Sequence, residues 1–394
     1  MAFIPYIFLT IWLVGIALTI YGTHLALKKR RAGVPNLDYP FNLYPVSILK
    51  PLKGADGETY FDLRSFFTLQ YPRYELIFSV ANSNDRALSI VELLKSEFPN
   101  VQTKIVTGQT ADCNPQATNH YSNPKIANLV QAYSQAQHDL ILISDSNVRV
   151  RIDYLTRMVA HFDSGVGIVT AVLGARDPQS IAGILQSTML NTFYSRAMHL
   201  AERFSSPCVM GKSMLFSRHT ANRFGGISTL SKFLAEDYMA GVAMRQLGLR
   251  NVIMTDPVIQ HMGNYTFKDF WQRNIRWGQI RKIHAPIVFL FEPFFTSLGS
   301  AFCGALAVAS LCQFPLFIFS AIHFSLWFYS DLKLTLIYEK PNPIFAIIWL
   351  FREALHPPLW LASLFSSTVT WRGNQFEILK GGIIGSRVRS QTIN

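Results

Sequence analysis

Apolar positions are unevenly spread along this chain, and their distribution divides it into segments. Residues 1 to 27 contain no Lys, Arg, Asp or Glu, and the run stops at Lys28-Lys29-Arg30-Arg31. At about 1.5 Å per residue, Ile4 to Leu27 is long enough to cross a hydrocarbon core of ~30 Å. A cleaved leader carries its charges before the apolar region; here they follow it, which fits an uncleaved anchor ending in the cytoplasm. A second charge-free run, Pro293 to Ser330, has room for two spans, about Phe295 to Cys312 and Phe314 to Tyr329. A third apolar block, Pro343 to Phe365, is interrupted by Arg352, Glu353 and His356. It reads as an interfacial, re-entrant or domain-packed segment, or as a span with Arg352 and Glu353 paired internally.

Between the apolar ends, short β-rich runs alternate with helical patterns. The runs are VSILKPL from Val46, YELIFSVA from Tyr74, VQTKIV from Val101, DLILISDSN from Asp139 and VGIVTAVLG from Val166. Helical spacing is visible at Ala87 to Phe98, Lys125 to Ala136 and Tyr154 to Phe162. This alternation predicts an α/β domain with a mostly parallel sheet, whose ligands bind beyond the carboxyl ends of the strands. The expected organisation is an anchor at 1–31, a linker at 32–45, the α/β domain at 46–284, transmembrane or interfacial helices at 285–370 and a cytoplasmic tail at 371–394. The polar stretch Thr110 to Tyr121 reads as an inserted loop, either a lid or a passive insertion.

Composition narrows the class further. Of 394 residues 49% are hydrophobic and 15% charged, against about 25% charged in an ordinary soluble chain. With a mean hydropathy of +0.20, this argues against a wholly soluble enzyme. A net charge of +12 is better matched to cytoplasmic flanks and anionic headgroups than to nucleic acid, for which no recognition motif is present. Cys113, Cys208, Cys303 and Cys312 show neither zinc spacing nor a disulfide framework.

Four features carry candidate chemistry. Asp85 follows the strand ending at Val80, and Asp145 follows the apolar LILIS within SDSNVRV. Glu236-Asp237 opens a predicted helix, and Arg273, Arg276 and Trp277 share one face of another. Singly, each has an ordinary explanation as a turn, a cap, a helix-dipole partner or a cationic strip at a membrane surface. Their order is more specific. It resembles the D, DxD-like, D and (Q/R)xxRW series of membrane glycosyltransferases of the GT-A type, and within them the ceramide glucosyltransferase family. The shared stretches are VSILKPLKG at Val46, NPKIANL at Asn123, ISDSNVRV at Ile143, LAEDY at Leu234 and RNIRW at Arg273, with FREALHPPLW and TWRGNQFEILKGG near the C-terminus.

The resemblance implies a Rossmann-like GT-A (nucleotide-diphospho-sugar transferase) domain joined to transmembrane helices. It implies transfer of glucose from UDP-glucose to the primary hydroxyl of ceramide, with inversion, at a membrane surface. Asp85 would contact uridine, beside Lys50-Pro51-Leu52. Asp145 would hold Mg²⁺ or Mn²⁺ against the diphosphate, since hard cations take oxygen ligands. Arg276 with Arg273 would donate to the same phosphates. Trp277 would line the sugar or acceptor entrance or serve the structure, and Asp237 would be the general base. Lys125, three residues before Asn128, would approach the donor phosphates or an acidic partner.

The second carboxylate of the DxD pattern is replaced by Asn147, a neutral oxygen donor and a weaker ligand; the ceramide family commonly shares this departure. His261 is a further weak candidate ligand. The GKS at Gly211-Lys212-Ser213 lacks the earlier glycine of a phosphate loop and reads as acceptor-side lining. Two rivals stand: a hexosyl or N-acetylhexosaminyl transferase acting on another lipid, such as a hopanoid or diacylglycerol, and a catalytically silent lipid-binding scaffold. The expected location is a multi-pass membrane protein with its catalytic domain facing the cytoplasm, in the Golgi of a eukaryote or the inner membrane of a bacterium.

Overall fold

The computed structural model describes residues 3–33, 43–108, 123–312, 314–371 and 374–388. Thr110 to Tyr121 and most of the linker lie outside the described residues. In chain order the elements are α1 Ile4–Ala32, β1 Val46–Leu52, α2 Thr59–Phe67, β2 Tyr74–Val80, α3 Ala87–Glu97, β3 Thr103–Thr107, α4 Pro124–Ser134, β4 Leu140–Ser144, α5 Tyr154–Val159, β5 Val166–Thr170 and β6 Leu173–Pro178. There follow α6 Ile181–Met189, α7 Ser195–Arg203, β7 Ser213–Ser217, α8 Arg218–Asn222, α9 Glu236–Gln246, β8 Arg250–Ile253, β9 Val258–Gly263, α10 Phe267–His284, α11 Pro286–Phe291, α12 Ser297–Leu311, α13 Leu316–Tyr338, α14 Phe345–Phe365 and β10–β12 (Thr368–Trp371, Asn374–Ile378, Ile384–Val388). A π-helical turn, Leu190–Tyr194, joins α6 to α7.

The chain folds into two compact units. One comprises Arg30–Gly174 and Ala201–Gly263; the other comprises Met1–Lys29, Ala175–Leu200 and Asn264–Asn394. In the first, a seven-stranded sheet runs β3-β2-β1-β4-β7-β5-β8. β1, β2, β3 and β4 are mutually parallel. Every residue of β1 and β4 is buried, which is why both read as near-continuous apolar runs without alternation. The α/β domain is as expected, with one departure: β7 lies antiparallel between β4 and β5. It sets Ser213 opposite Ser144 and brings the Gly211-Lys212 turn to the carboxyl end of β4.

In the second unit, α1 is long and apolar enough to cross a membrane. Its Trp12 indole donates to His323 Nδ1 at 3.1 Å. The expected span at 295–312 is realised as α12, whose 15 residues cover about 22 Å, short of a full crossing. The helical stretch before it meets α12 at a 68° bend, and only the pair together passes as apolar and long enough. α13 runs past the expected end at Tyr329 to Tyr338, because Asp331 is paired. Its carboxylate accepts from Arg196, from Arg352 at 2.8 Å and from the Trp349 indole at 2.7 Å. The interrupted third block is a single helix, α14. Its Arg352 pairs with Glu353 as well as Asp331, and Arg352, Glu353 and His356 are all buried.

Candidate active site

Strong local signals position the residues at the carboxyl end of the sheet. Asn123 caps α4 by accepting from the backbone N–H of Lys125 at 2.9 Å and Ile126 at 3.2 Å, and Pro124 fills the first helical position, where no donor is needed. The Asn123 amide also donates to Glu236 at 3.1 Å, tying α4 to the start of α9. Asn128 bridges the ends of β1 and β2, donating to the carbonyls of Leu52 at 3.3 Å and Ser79 at 2.9 Å. The turn before β7 is held by Thr170, whose hydroxyl donates to the carbonyls of Met210 and Ser213.

These elements converge on Asp145, one residue past β4. Lys125 Nζ stands 2.9 Å from Asp145 Oδ1, and Lys212 Nζ stands 3.0 Å from Oδ2. Lys125 also meets Glu236 at 3.1 Å and the Gly211 carbonyl at 2.9 Å, so its three protons are all engaged. Lys212 donates in addition to Asn147 Oδ1 at 2.6 Å. Burial opposes ionisation of Asp145, but the two ammonium groups overcome it and hold the carboxyl well below its usual range. Burial likewise opposes the charge on Lys125, yet Asp145, Glu236 and Asp237 push its pKa up.

Asp237, half-buried in the first turn of α9, behaves oppositely. Desolvation and then repulsion from Glu236 raise its pKa to about 6, against the pull of Lys125. Its Oδ2 accepts from the Gly211 N–H at 2.7 Å and its Oδ1 from the Tyr238 N–H at 2.8 Å. Residue 211 must be small: a Cβ there would meet Asp237 Oδ2 at 2.7 Å and its Cγ at 3.1 Å. Beneath the cluster lies Lys50, fully buried, donating to Ser144 Oγ at 3.2 Å and the Asp145 carbonyl at 3.0 Å, over the Phe66 ring. Burial pushes its pKa down to about 7, partly offset by Asp62 and Asp145. The Asp145 region is thus an array of carboxylates and ammonium groups, with the Asp237 carboxyl, its pKa raised to about 6, beside it. Such an array can receive an anionic leaving group and accept a proton.

Of the other expected site residues, Asp85 accepts from the Gly54 N–H at 2.9 and 3.0 Å and from the Ala87 N–H, at the start of α3, at 2.9 Å. Gly54 adopts a φ of +71° that favours glycine, so this pin holds a tight loop after β1. Arg273, Arg276 and Trp277 lie on α10, in the other unit. There the Arg273 guanidinium stacks 4.7 Å from the Trp277 ring, which itself packs edge-on against Tyr194 at 4.5 Å. α10 starts at a capping box formed by Thr266 and Asp269. His261 lies in β9.

Sequence reasoning missed Lys212 and Glu236 as members of the cluster. Glu236 had a signal, since it adjoins Asp237 at a helix start. Lys212 had only the GKS, which read as acceptor-side lining rather than as a partner of Asp145. The donor set does not fit a divalent cation. Both Asp145 oxygens and the Asn147 oxygen accept from ammonium groups, and a cation bound to them would stand against the charge of Lys125 at Oδ1 and of Lys212 at Oδ2 and Asn147. Among the described residues, His261 included, no three His, Cys, Asp or Glu side chains group as metal ligands would.

Comparison with known proteins agrees with this architecture. The chain is 30% identical to ceramide glucosyltransferase 3 of Caenorhabditis elegans, over 86% of this chain and 74% of that one. It is 28% identical to ceramide glucosyltransferase 1 of the same organism, over 88% and 74% of the two chains. It is 24% identical to the ceramide glucosyltransferase of Komagataella phaffii, over 93% and 89%. Among solved structures, a mannosyltransferase of Pyrobaculum calidifontis in complex with GDP-Man and Mn²⁺ covers 90% of this chain and 97% of its own, with a TM-score of 0.50 at 17% identity. That likeness is one of fold, and the fold is the GT-A type. The sequence pattern of glycosyl transferase family 21 matches residues 7–384, nearly the whole length, and the chain belongs to that family.

Proposed function

We propose that this chain transfers glucose from UDP-glucose to the primary hydroxyl of ceramide, forming β-linked glucosylceramide and UDP. The likeness to ceramide glucosyltransferases over most of the chain supports the substrate pair. The observation that carries the chemistry is the Asp237 carboxylate held by the Gly211 N–H, beside the Lys125–Asp145–Lys212 array. The ceramide oxygen attacks the anomeric carbon from the face opposite the diphosphate. Its proton passes to the Asp237 carboxylate, the glycosidic bond breaks, and its electron pair leaves on the β-phosphate oxygen of UDP. One displacement inverts the anomeric centre.

In this reading Asp85 meets the uridine, and Arg276 with Arg273 meets the phosphates. Trp277 lines the entrance for sugar or acceptor. No step needs a divalent cation. The acceptor is a lipid and the donor is water-soluble, so the domain works at a membrane surface, held there by α1 and the C-terminal helices. Its catalytic face is toward the cytoplasm, at the Golgi of a eukaryote or the inner membrane of a bacterium. Membranes containing the full-length chain are expected to make a β-glucoside from UDP-glucose only when ceramide is added, as read by lipid chromatography and mass spectrometry. Product on diacylglycerol or a hopanoid alone would move the acceptor assignment, and UDP release with no lipid would defeat it.

The Gly211 contact gives a second expectation. Gly211→Ala forces the Asp237 carboxylate aside, and a displacement of the order of 1 Å at a reacting group costs about 10²-fold in rate. The expected result is kcat lowered by ~10–100-fold with a thermal midpoint within a few degrees of wild type. A large fall in the midpoint at unchanged kcat would contradict it.

A further inference from the structure

The divalent cation expected at Asp145 and Asn147 conflicts with the side chains that stand there, and the conflict identifies what replaces it. Every oxygen of those two side chains accepts from a lysine: Asp145 Oδ1 from Lys125, Asp145 Oδ2 and Asn147 Oδ1 from Lys212. The two lysines are mostly buried, with 11% and 17% of their side chains exposed. Their positions are set from outside the pair. Lys125 is fixed by Glu236 and the Gly211 carbonyl. Lys212 is fixed at the head of β7, where the Asp145 N–H donates to the Lys212 carbonyl at 3.2 Å and Ser213 is in contact with Tyr154.

We propose that Lys212, seated beside Lys125 on the strand-end carboxylate, replaces the divalent cation, so that the leaving diphosphate is met by an ammonium group and transfer proceeds without metal. The inference rests on reading this site as the sugar-nucleotide site. An ammonium group is a compact charge with three donors and serves phosphate well. Held on Asp145 and Asn147, it needs no reorganisation as charge develops on the β-phosphate oxygen. It stabilises that oxygen by hydrogen bonding; no proton need leave it.

The experiment uses the full-length protein in lipid nanodiscs. Wild type is treated with EDTA, and turnover, UDP-glucose binding and Mn²⁺ binding by electron paramagnetic resonance are followed. Turnover is expected to stay within about threefold of the untreated rate, and no stoichiometric Mn²⁺ site is expected in the absence of nucleotide. Lys212→Ser is expected to lower metal-free kcat by ~10²–10³-fold, the usual cost of one preorganised donor to a developing oxyanion. It should also gain a measurable Mn²⁺ site and recover part of its rate with Mn²⁺, whereas Lys212→Arg keeps more activity than Lys212→Ser without metal. Wild-type turnover that collapses in EDTA and returns with Mn²⁺ would overturn the proposal while leaving the transferase reading intact. That arm does not depend on any variant folding. Failure of wild type to bind UDP-glucose with or without Mn²⁺ would instead remove the sugar-nucleotide reading, and this inference with it.

Discussion

Asp237→Asn is expected to lower kcat by ~10²–10⁴-fold, the usual contribution of a positioned general base, while UDP-glucose affinity changes by less than about threefold. The pH dependence separates this role from a structural one. Burial and Glu236 raise the Asp237 pKa to about 6. Below that pH the carboxyl is protonated and cannot accept the acceptor's proton. Wild-type kcat should therefore fall as pH drops through about 6 and level off above it, and the residual rate of Asp237→Asn should lack this limb. The stability sign is opposite. An acid whose pKa is raised by folding binds its proton more tightly in the folded state, so ionising it weakens the fold as pH climbs from the unfolded value toward 6. Asn carries no such cost. It does turn its amide NH₂ toward one of the two N–H groups, Gly211 or Tyr238, that the carboxylate accepts from, so the variant's thermal midpoint at pH 7.5 is expected within a few degrees of wild type; a residual rate that keeps the wild-type pH limb would mean Asp237 is structural.

Asp331→Ala is expected to have the largest effect on stability. Asp331 is fully buried and neutralises Arg196 while sharing Arg352 with Glu353; its loss leaves the Arg196 guanidinium without that carboxylate. Breaking a buried pair in this way costs ~3–5 kcal/mol, a large share of the 5–15 kcal/mol that typically holds a domain. The expected outcome is a sharply reduced yield of monodisperse protein and a thermal midpoint lowered by several degrees. Replacing the pair together, Arg196→Met with Asp331→Leu, should recover much of the loss, because an apolar pair of similar volume is often neutral. A midpoint for Asp331→Ala within about 2 °C of wild type would show that the network carries little of the fold.

What the sequence made legible was local. LILIS is an uninterrupted apolar run, and it is β4 with Asp145 at its end. Asn-Pro before Lys125 is a helix-start signal, and α4 begins there. Glu236-Asp237 opens α9 as its acidic first turn implies. What escaped was non-local. SMLFS is only five residues long and bounded by serines, so nothing in its own pattern assigns it to the middle of a sheet or reverses its direction, and Lys212 escaped with it. Asp331 gave no sign that it would meet Arg196 and Arg352, 135 and 21 residues away. Ending a span at Tyr329 followed from the charge-free run stopping at Ser330, one residue before that acid. The lysines that meet Asp145 and Asn147 in space are likewise not encoded by spacing along the chain.

The antiparallel β7 also bears on how the protein is made. It follows both β4 and β5 in the chain yet lies between them. A nascent chain that has emerged through Thr170 already holds Asp85, Lys125 and Asp145, but the buried edge of β4 has no neighbour on that side. Such an edge is a template for strands of other chains, and the pairing that closes it is long-range and correspondingly slow. Residues 211 and 212 arrive immediately before β7. The insertion that shields the nascent sheet from self-association is therefore also the one that brings Lys212 to Asp145, so ribosome-bound chains short of residue 217 are expected to be aggregation-prone.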